Sequence, residues 1–179
     1  MYIILDSMVR LLAPILAFTS NEIWLSMPHD ASANAAHIML NDMPKKDEKW
    51  VFTAEEEEAW SLSQAVRSDV NKALELARAE KTVGKPLDAN ITLYVDDNGK
   101  AVLDKIKDQD LKTLFIVSDV KIVEGEGEGY EGEVQGVKVK VEANTAPKCV
   151  RCWTHDEHIG EDPDHPELCP RCAKVVRFI

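Results

Sequence analysis

The chain has no basic N-terminal region followed by an uninterrupted apolar core and a cleavage site, so its start is no secretory signal. It has no membrane-length apolar run either, because the stretch from Tyr2 to Phe18 is broken by Asp6, Arg10 and Pro14. Positive charge is scarce. Lysine and arginine number 21 against 32 aspartates and glutamates, a formal net charge of -11. That balance excludes a protein that holds polynucleotides by general phosphate neutralisation, so any such contact must be local and geometric. The run Glu124-Gly125-Glu126-Gly127-Glu128-Gly129 lacks the strand and helix context of a phosphate-binding G-x-G-x-x-G and repels phosphate, so the acidic stretch from Glu124 to Glu133 reads as a mobile connection. Cysteine is limited to four residues, and with no export signal this pattern favours reduced thiols and the cytoplasm. The 179 residues, 45% hydrophobic, suit one domain or two small ones.

Those four cysteines form two Cys-x-x-Cys pairs, Cys149-Val150-Arg151-Cys152 and Cys169-Pro170-Arg171-Cys172. Two intervening residues let the backbone wrap tightly enough for each pair to offer both sulfurs to one ion. Four thiolates at roughly 2.3 Å in a tetrahedron suit Zn2+. The residues between the pairs are rich in turn-formers, among them Gly160, Pro163 and Pro166, as two converging knuckles require. A pair of disulfides is the alternative use of four cysteines, but nothing else in the chain suggests a secreted protein. Four sulfurs close the coordination shell, so one structural zinc staples a module too small to bury a core of its own. His155, His158 and His165 between the pairs read as ordinary loop residues.

Residues 2 to 18 are apolar on nearly every side, which suits a helix buried in a bundle and cut from a larger protein, with Pro14 kinking or ending it. Thr19-Ser20-Asn21-Glu22 reads as a capping box opening a short helix, and Ile38-Met39-Leu40 as a brief extended segment in a loop. A second capping box, Thr53-Ala54-Glu55-Glu56, starts a long amphipathic helix marked by Ala59, Leu62, Val66, Val70, Ala73 and Ala77. Gly84 and Pro86 stop it. Between Trp60 and Pro86, five basic residues stand against three acidic ones, a mildly positive face in an acidic protein; a solvated face with i,i+4 pairs is its plainer use. Beyond it come a strand at Ile91–Val95, a turn at Asp96–Gly99, a helix at Lys100–Lys107, and strands at Phe115–Val123 and Val134–Glu142. The fold class is α+β: a helical portion over residues 1–86, a small α/β subdomain over 87–144, and a four-cysteine, zinc-ribbon-like module over 145–179.

Several stretches carry a resemblance. Leu11-Leu12-Ala13-Pro14-Ile15-Leu16 with Glu22-Ile23-Trp24 resembles the anticodon-binding domain of class I aminoacyl-tRNA synthetases. Leu76 to Leu87 and the two knuckles, Lys148–Trp153 and Leu168–Cys172, resemble the C-terminal part of the bacterial isoleucyl-tRNA synthetase family. The pieces cover the chain in the family's order, although Ala17–Asn21 departs from its usual proline and acidic pattern. The nucleotide-binding motifs HIGH and KMSKS are absent; His158-Ile159-Gly160-Glu161 echoes the first only by coincidence, in the wrong context. The resemblance implies a C-terminal fragment without catalytic residues, with ATP and Mg2+ used only by a catalytic domain elsewhere in a monomeric, membrane-free enzyme. It implies recognition of the anticodon stem-loop of isoleucine tRNA, whose unpaired bases offer faces and edges to aromatic rings and guanidinium groups. Trp153 is the stacking candidate, with hydrophobic support of the sulfurs as the competing role. Arg151 could fork onto a base edge or phosphate, Arg171 suits donation to the sulfur cluster better than to RNA, and Lys81 and Lys85 could grip the stem backbone.

Other readings remain. Formamidopyrimidine-type DNA glycosylases carry a similar zinc finger but attack with an N-terminal proline, whereas this chain opens Met1-Tyr2-Ile3. A rubredoxin-like iron site uses the same sulfur set. Valyl or methionyl synthetases could own a comparable appendage.

Overall fold

The computed structural model describes residues 1–178, and the chain divides into two compact units, Met1–Val51 and Phe52–Ile179. Composition alone suggests a cut at residue 86, but the boundary by contact falls before the long helix.

In the first unit, α1 (Tyr2–Leu12) and α2 (Ala17–Ser26) are joined by a turn through Pro14. Trp24 is fully buried with Val9, Ala13, Met27 and Ile38, and its Nε1–H donates to the Asn34 carbonyl at 3.0 Å. The Arg10 guanidinium lies 5.0 Å from the Trp24 ring centroid and pairs with Asp6 at 3.1 Å. Three sequence expectations fail here. The capping box at Thr19–Glu22 does not form, because Ser20 N–H already donates to Leu16 O at 2.8 Å and the helix starts at Ala17. Ile38–Leu40 is a 3-10 turn, capped by the His37 ring accepting from Met39 N–H and held by the Asn41 amide, which donates to His37 O and Ile38 O. The burial expected along residues 2–18 is also incomplete. On α1 only Val9 is buried, so Ile3, Ile4 and Leu11 stay exposed, as do Ile15 in the turn and Phe18 on α2.

The second unit begins with α3 (Ala54–Ala79). Its capping box forms as expected: Glu56 N–H donates to Thr53 Oγ1 at 3.2 Å and Thr53 N–H donates to Glu56 Oε2 at 2.8 Å. The backbone and hydroxyl bonds from Thr53 hold the Glu56 carboxyl below its ordinary value. The helix stops before Gly84. Thr82 N–H reaches back to Ala77 O at 2.9 Å and Lys81 N–H to Arg78 O at 3.1 Å, a closure that puts Lys81 in the left-handed region at φ 63°.

Then follow β1 (Ala89–Val95), α4 (Asp97–Lys105), α5 (Leu111–Phe115), β2 (Asp119–Glu124), β3 (Tyr130–Glu131) and β4 (Val137–Ala143). The sheet order is β2-β1-β4-β3, with β1 and β2 parallel and the other neighbours antiparallel. Alternation along β1 and β4 turns Ile91, Leu93, Val95, Val137 and Val139 inward, onto the Val66, Val70, Ala73, Leu74 and Ala77 stripe of α3. The architecture is α+β, as the sequence indicates. Two assignments shift. Asp96 accepts from Asn98 N–H and Gly99 N–H, so the expected turn is the first turn of α4. Residues 111–115 are helical, and the strand begins only at Asp119, after Ile116 has reversed the chain at φ 59°.

The acidic glycine run is no free linker. A side chain at Gly127 would overlap the Tyr94 ring and one at Gly132 the Asp69 carboxylate, so both glycines permit close approach. Asp69 is buried on α3 and accepts from Glu133 N–H at 3.0 Å and Val134 N–H at 2.9 Å. Asp69→Ala would strand the buried Val134 N–H and the half-buried Glu133 N–H. It is expected to cost about 2–4 kcal/mol in urea unfolding, and a loss well under 1 kcal/mol would contradict this role.

The last segment leads through Asn144 to the cysteine module, which ends with α6 (Pro170–Val176). No helix among the described residues is long and apolar enough to cross a membrane.

Candidate metal centre and nucleic-acid interface

The module is pinned to the sheet before the first cysteine. Lys148 forms an antiparallel bridge with His155 and pairs with Asp88 at 2.7 Å. The His155 backbone N–H donates to Ser118 Oγ at 2.7 Å, and Ser118 Oγ–H donates to Leu87 O. The His155 ring spans Ala146 O, 2.6 Å from Nδ1, and the Asp88 carboxylate, 3.3 Å from Nε2. The hydrogen bond from Lys148 is the main reason the Asp88 carboxyl lies below its ordinary value; burial opposes it and His155 assists. His155 is therefore a latch, contrary to its reading as an ordinary loop residue. Two of its partners, Ser118 and Asp88, lie too far away in sequence for any local signal.

The first knuckle closes tightly: Trp153 N–H donates to Cys149 O at 2.9 Å and Cys149 N–H to Thr154 O at 2.9 Å. The second is the start of α6, where Pro170 needs no backbone acceptor and Cys169 occupies the cap position. Cys169 N–H donates to Cys149 Sγ at 3.4 Å, which joins the knuckles. All four thiols are free, and their sulfurs lie within 4.8 Å of one another. Cys152 and Cys169 Sγ are 3.7 Å apart. A tetrahedron of Zn–S bonds has an edge of about 3.8 Å. Cys149, Cys169 and Cys172 are buried and Cys152 is half-buried, so the four donors converge largely out of solvent.

The thiols differ in how readily they lose a proton. Cys152 is lowered to about 6: burial opposes ionisation most strongly, but the Thr154 hydroxyl and amide, with Cys149 and Cys172, outweigh it. Burial pushes Cys169 up to about 12, reinforced by the neighbouring sulfurs. Without metal the cluster shares out protons; one divalent ion would accept four thiolates at once. Such a centre carries a net charge of about −2. Two guanidinium groups face it. Arg151 Nη1 lies 3.7 Å from Cys172 Sγ, and the charge of Cys152 raises the Arg171 pKa, with a hydrogen bond to the same sulfur.

Trp153 is not among the residues packed on this cluster. It is 64% exposed, and its backbone is left-handed at φ 65°. A glycine would adopt that conformation freely, whereas a tryptophan there is strained and gains little burial. Lys81 and Lys85 are exposed and make no ion pair among the described residues. They do not line the sulfur cluster. Lys85 caps the Pro86–Asp88 turn, whose Asp88 holds Lys148, so it shares an end of the unit with the knuckle. Ile116 and Thr154, which border this site, escaped sequence reasoning because neither carries a motif.

Comparison with known proteins accounts for both halves. The family model for the anticodon-binding domain of tRNA ligase matches residues 1–93, and that for the zinc finger found in FPG and IleRS matches residues 147–175. The zinc finger alone is shared with glycosylases; the anticodon-binding match separates the two readings. The isoleucine–tRNA ligase of Geobacter sulfurreducens is 42% identical over 185 residues, covering 99% of this chain and 19% of the relative. That of Syntrophotalea carbinolica is 42% identical over 178 residues, and that of Desulforudis audaxviator 38% over 182, each covering 98% of this chain and 19% of the relative. The chain thus spans about a fifth of the length of these curated relatives. With the zinc-finger module at its tail and the helical match over its first half, the chain belongs to the family of anticodon-binding domains of tRNA ligases.

Proposed function

We propose that this chain recognises the anticodon stem-loop of isoleucine tRNA within an isoleucine–tRNA ligase whose catalytic and editing parts, and whose use of ATP and Mg2+, lie outside it. The observation that carries the reading is Trp153, an exposed aromatic held in a strained conformation beside a metal-tied knuckle. Cys149, Cys152, Cys169 and Cys172 hold one structural zinc, which fixes the knuckle and leaves no coordination site for chemistry. Trp153 stacks on an unpaired base. Arg151 offsets the charge of the centre and uses its remaining donors on a base edge or phosphate, while Arg171 serves mainly the sulfurs. Lys81 and Lys85 grip the stem backbone, a local positive site in an acidic protein. The exposed apolar side chains of α1 and α2 pack against the rest of the ligase, which works as a cytoplasmic monomer.

Filter binding at fixed salt, comparing isoleucine tRNA with the same tRNA carrying another anticodon, tests this reading. Loss of a specific base contact is expected to weaken binding roughly 5- to 150-fold. Equal affinity for both would overturn it.

A further inference from the structure

The bonds around His155 do not balance for a neutral ring. Nδ1 lies 2.6 Å from Ala146 O, and Nε2 lies 3.3 Å from the Asp88 carboxylate. A carbonyl can only accept a hydrogen bond, and so can an ionised carboxylate. Asp88 is ionised, because its bond with Lys148 holds the carboxyl below its ordinary value. A neutral imidazole has one N–H and would turn a lone pair towards one of these two oxygens. Only the imidazolium donates to both. The side chain is 15% exposed, so water does little to relieve a mismatch.

The charges facing the ring favour the same form. Lys148 is matched by Asp88 at 2.7 Å, and Lys112 by Asp119 at 2.6 Å. His155 also lines a cleft of about 290 Å³, where Asp156 and Glu157 then outnumber Lys121. The other titratable group of that cleft, His158, is hydrogen-bonded to Glu161 at 2.7 Å, which raises its pKa.

His155 joins three segments: Ala146 ahead of the first knuckle, Asp88 before β1 and, through its backbone N–H, Ser118 before β2. Trp153 stands two residues upstream, whereas Lys81 and Lys85 lie between α3 and β1. An RNA held at both places needs a fixed distance between them, so a looser joint costs affinity.

We propose that His155 is a positioning residue that works as an imidazolium: its two N–H groups set the knuckle against the sheet, and RNA affinity falls as rising pH removes one proton. The proposal rests on the function proposed above and adds the group that keeps the interface in shape. The latched state binds one more proton than the loosened one. By linkage the latch is therefore firmest at low pH and weakens as the ring titrates.

The test follows the zinc-loaded chain from about pH 6 to about pH 9, which brackets the charge change of histidine. Nitrogen NMR of the ring should show both nitrogens protonated at the low end and one at the high end, with zinc content constant. Over the same range, wild-type affinity for the isoleucine anticodon stem-loop should fall about 5-fold, the margin of a charge-assisted hydrogen bond over a neutral one. His155→Gln should bind weakly and equally at every pH, because its amide has no proton to lose. His158→Asn should keep the wild-type profile, which assigns the titration to His155. A ring with a single N–H at the low end, a flat wild-type profile or a profile unchanged by His155→Gln would overturn the proposal. Without RNA, the hydrogen-exchange protection factor of the His155 amide should fall along with the ring titration, and a constant one would overturn the latch. The NMR and exchange readings need no substitution, so they decide even where His155→Gln fails to fold. If wild type binds the stem-loop and an anticodon-swapped version equally at every pH while protection still fades, the proposed function fails and the latch stands.

Discussion

Trp153→Gly is expected to leave the zinc module at least as stable as before and to weaken isoleucine tRNA roughly 5- to 150-fold, the value of one stacked base at about 1–3 kcal/mol. The two halves of this expectation have separate causes. A non-glycine residue in the left-handed region costs about 1–2 kcal/mol. Glycine removes that strain but adds back about 0.5–1 kcal/mol of chain entropy, so the net change is close to zero or slightly stabilising. The indole is mostly in solvent and contributes little burial for the mutation to remove. If Trp153 instead supported the sulfurs, Trp153→Gly would lower the melting temperature and loosen the metal. Thermal unfolding, zinc content and tRNA affinity measured on one preparation separate the two roles.

The second large effect concerns the cysteines. Cys149→Ser is expected to release zinc and disorder the module from about residue 145 onward while α3 and the sheet stay folded. Structural zinc contributes an apparent ~10–16 kcal/mol, as much as the whole stability of a typical domain at roughly 5–15 kcal/mol. The cysteine cluster has almost no apolar company besides Ile159 and Leu168, so nothing replaces the metal. The core around Val66, Ile91, Leu93 and Val139 forms a separate cluster that does not include these sulfurs. Limited proteolysis should therefore trim the tail and spare the strands, with metal analysis confirming the loss. A metal-free variant whose tail resists protease as well as wild type would contradict the metal's role in folding.

What could be read from the sequence was carried by short-range patterns. The Thr53–Glu56 capping box and the stripe from Val66 to Ala77 need only neighbours within a helix, and both appear as expected. The paired cysteines are similar: spacing alone brings the sulfurs together, and their scarcity leaves no other partner. Long-range placement accounts for the misreadings. The Thr19–Glu22 pattern is a sound capping box overridden by a helix already begun at Ala17. The acidic glycine run looked like a linker because its anchor, Asp69, lies more than sixty residues away. The stop signal at Gly84 came late because Lys81 takes the left-handed turn that glycine usually supplies. His155 gains its role only from the packing of the module against the sheet.

The most direct test of the central claim is to measure zinc content and anticodon stem-loop affinity on the same sample, before and after chelation. The account predicts one zinc per chain, with chelation abolishing specific binding while the circular dichroism of α3 and the sheet is retained. Material that is folded and metal-free from the outset, and that binds the stem-loop equally well with chelator present, would contradict it.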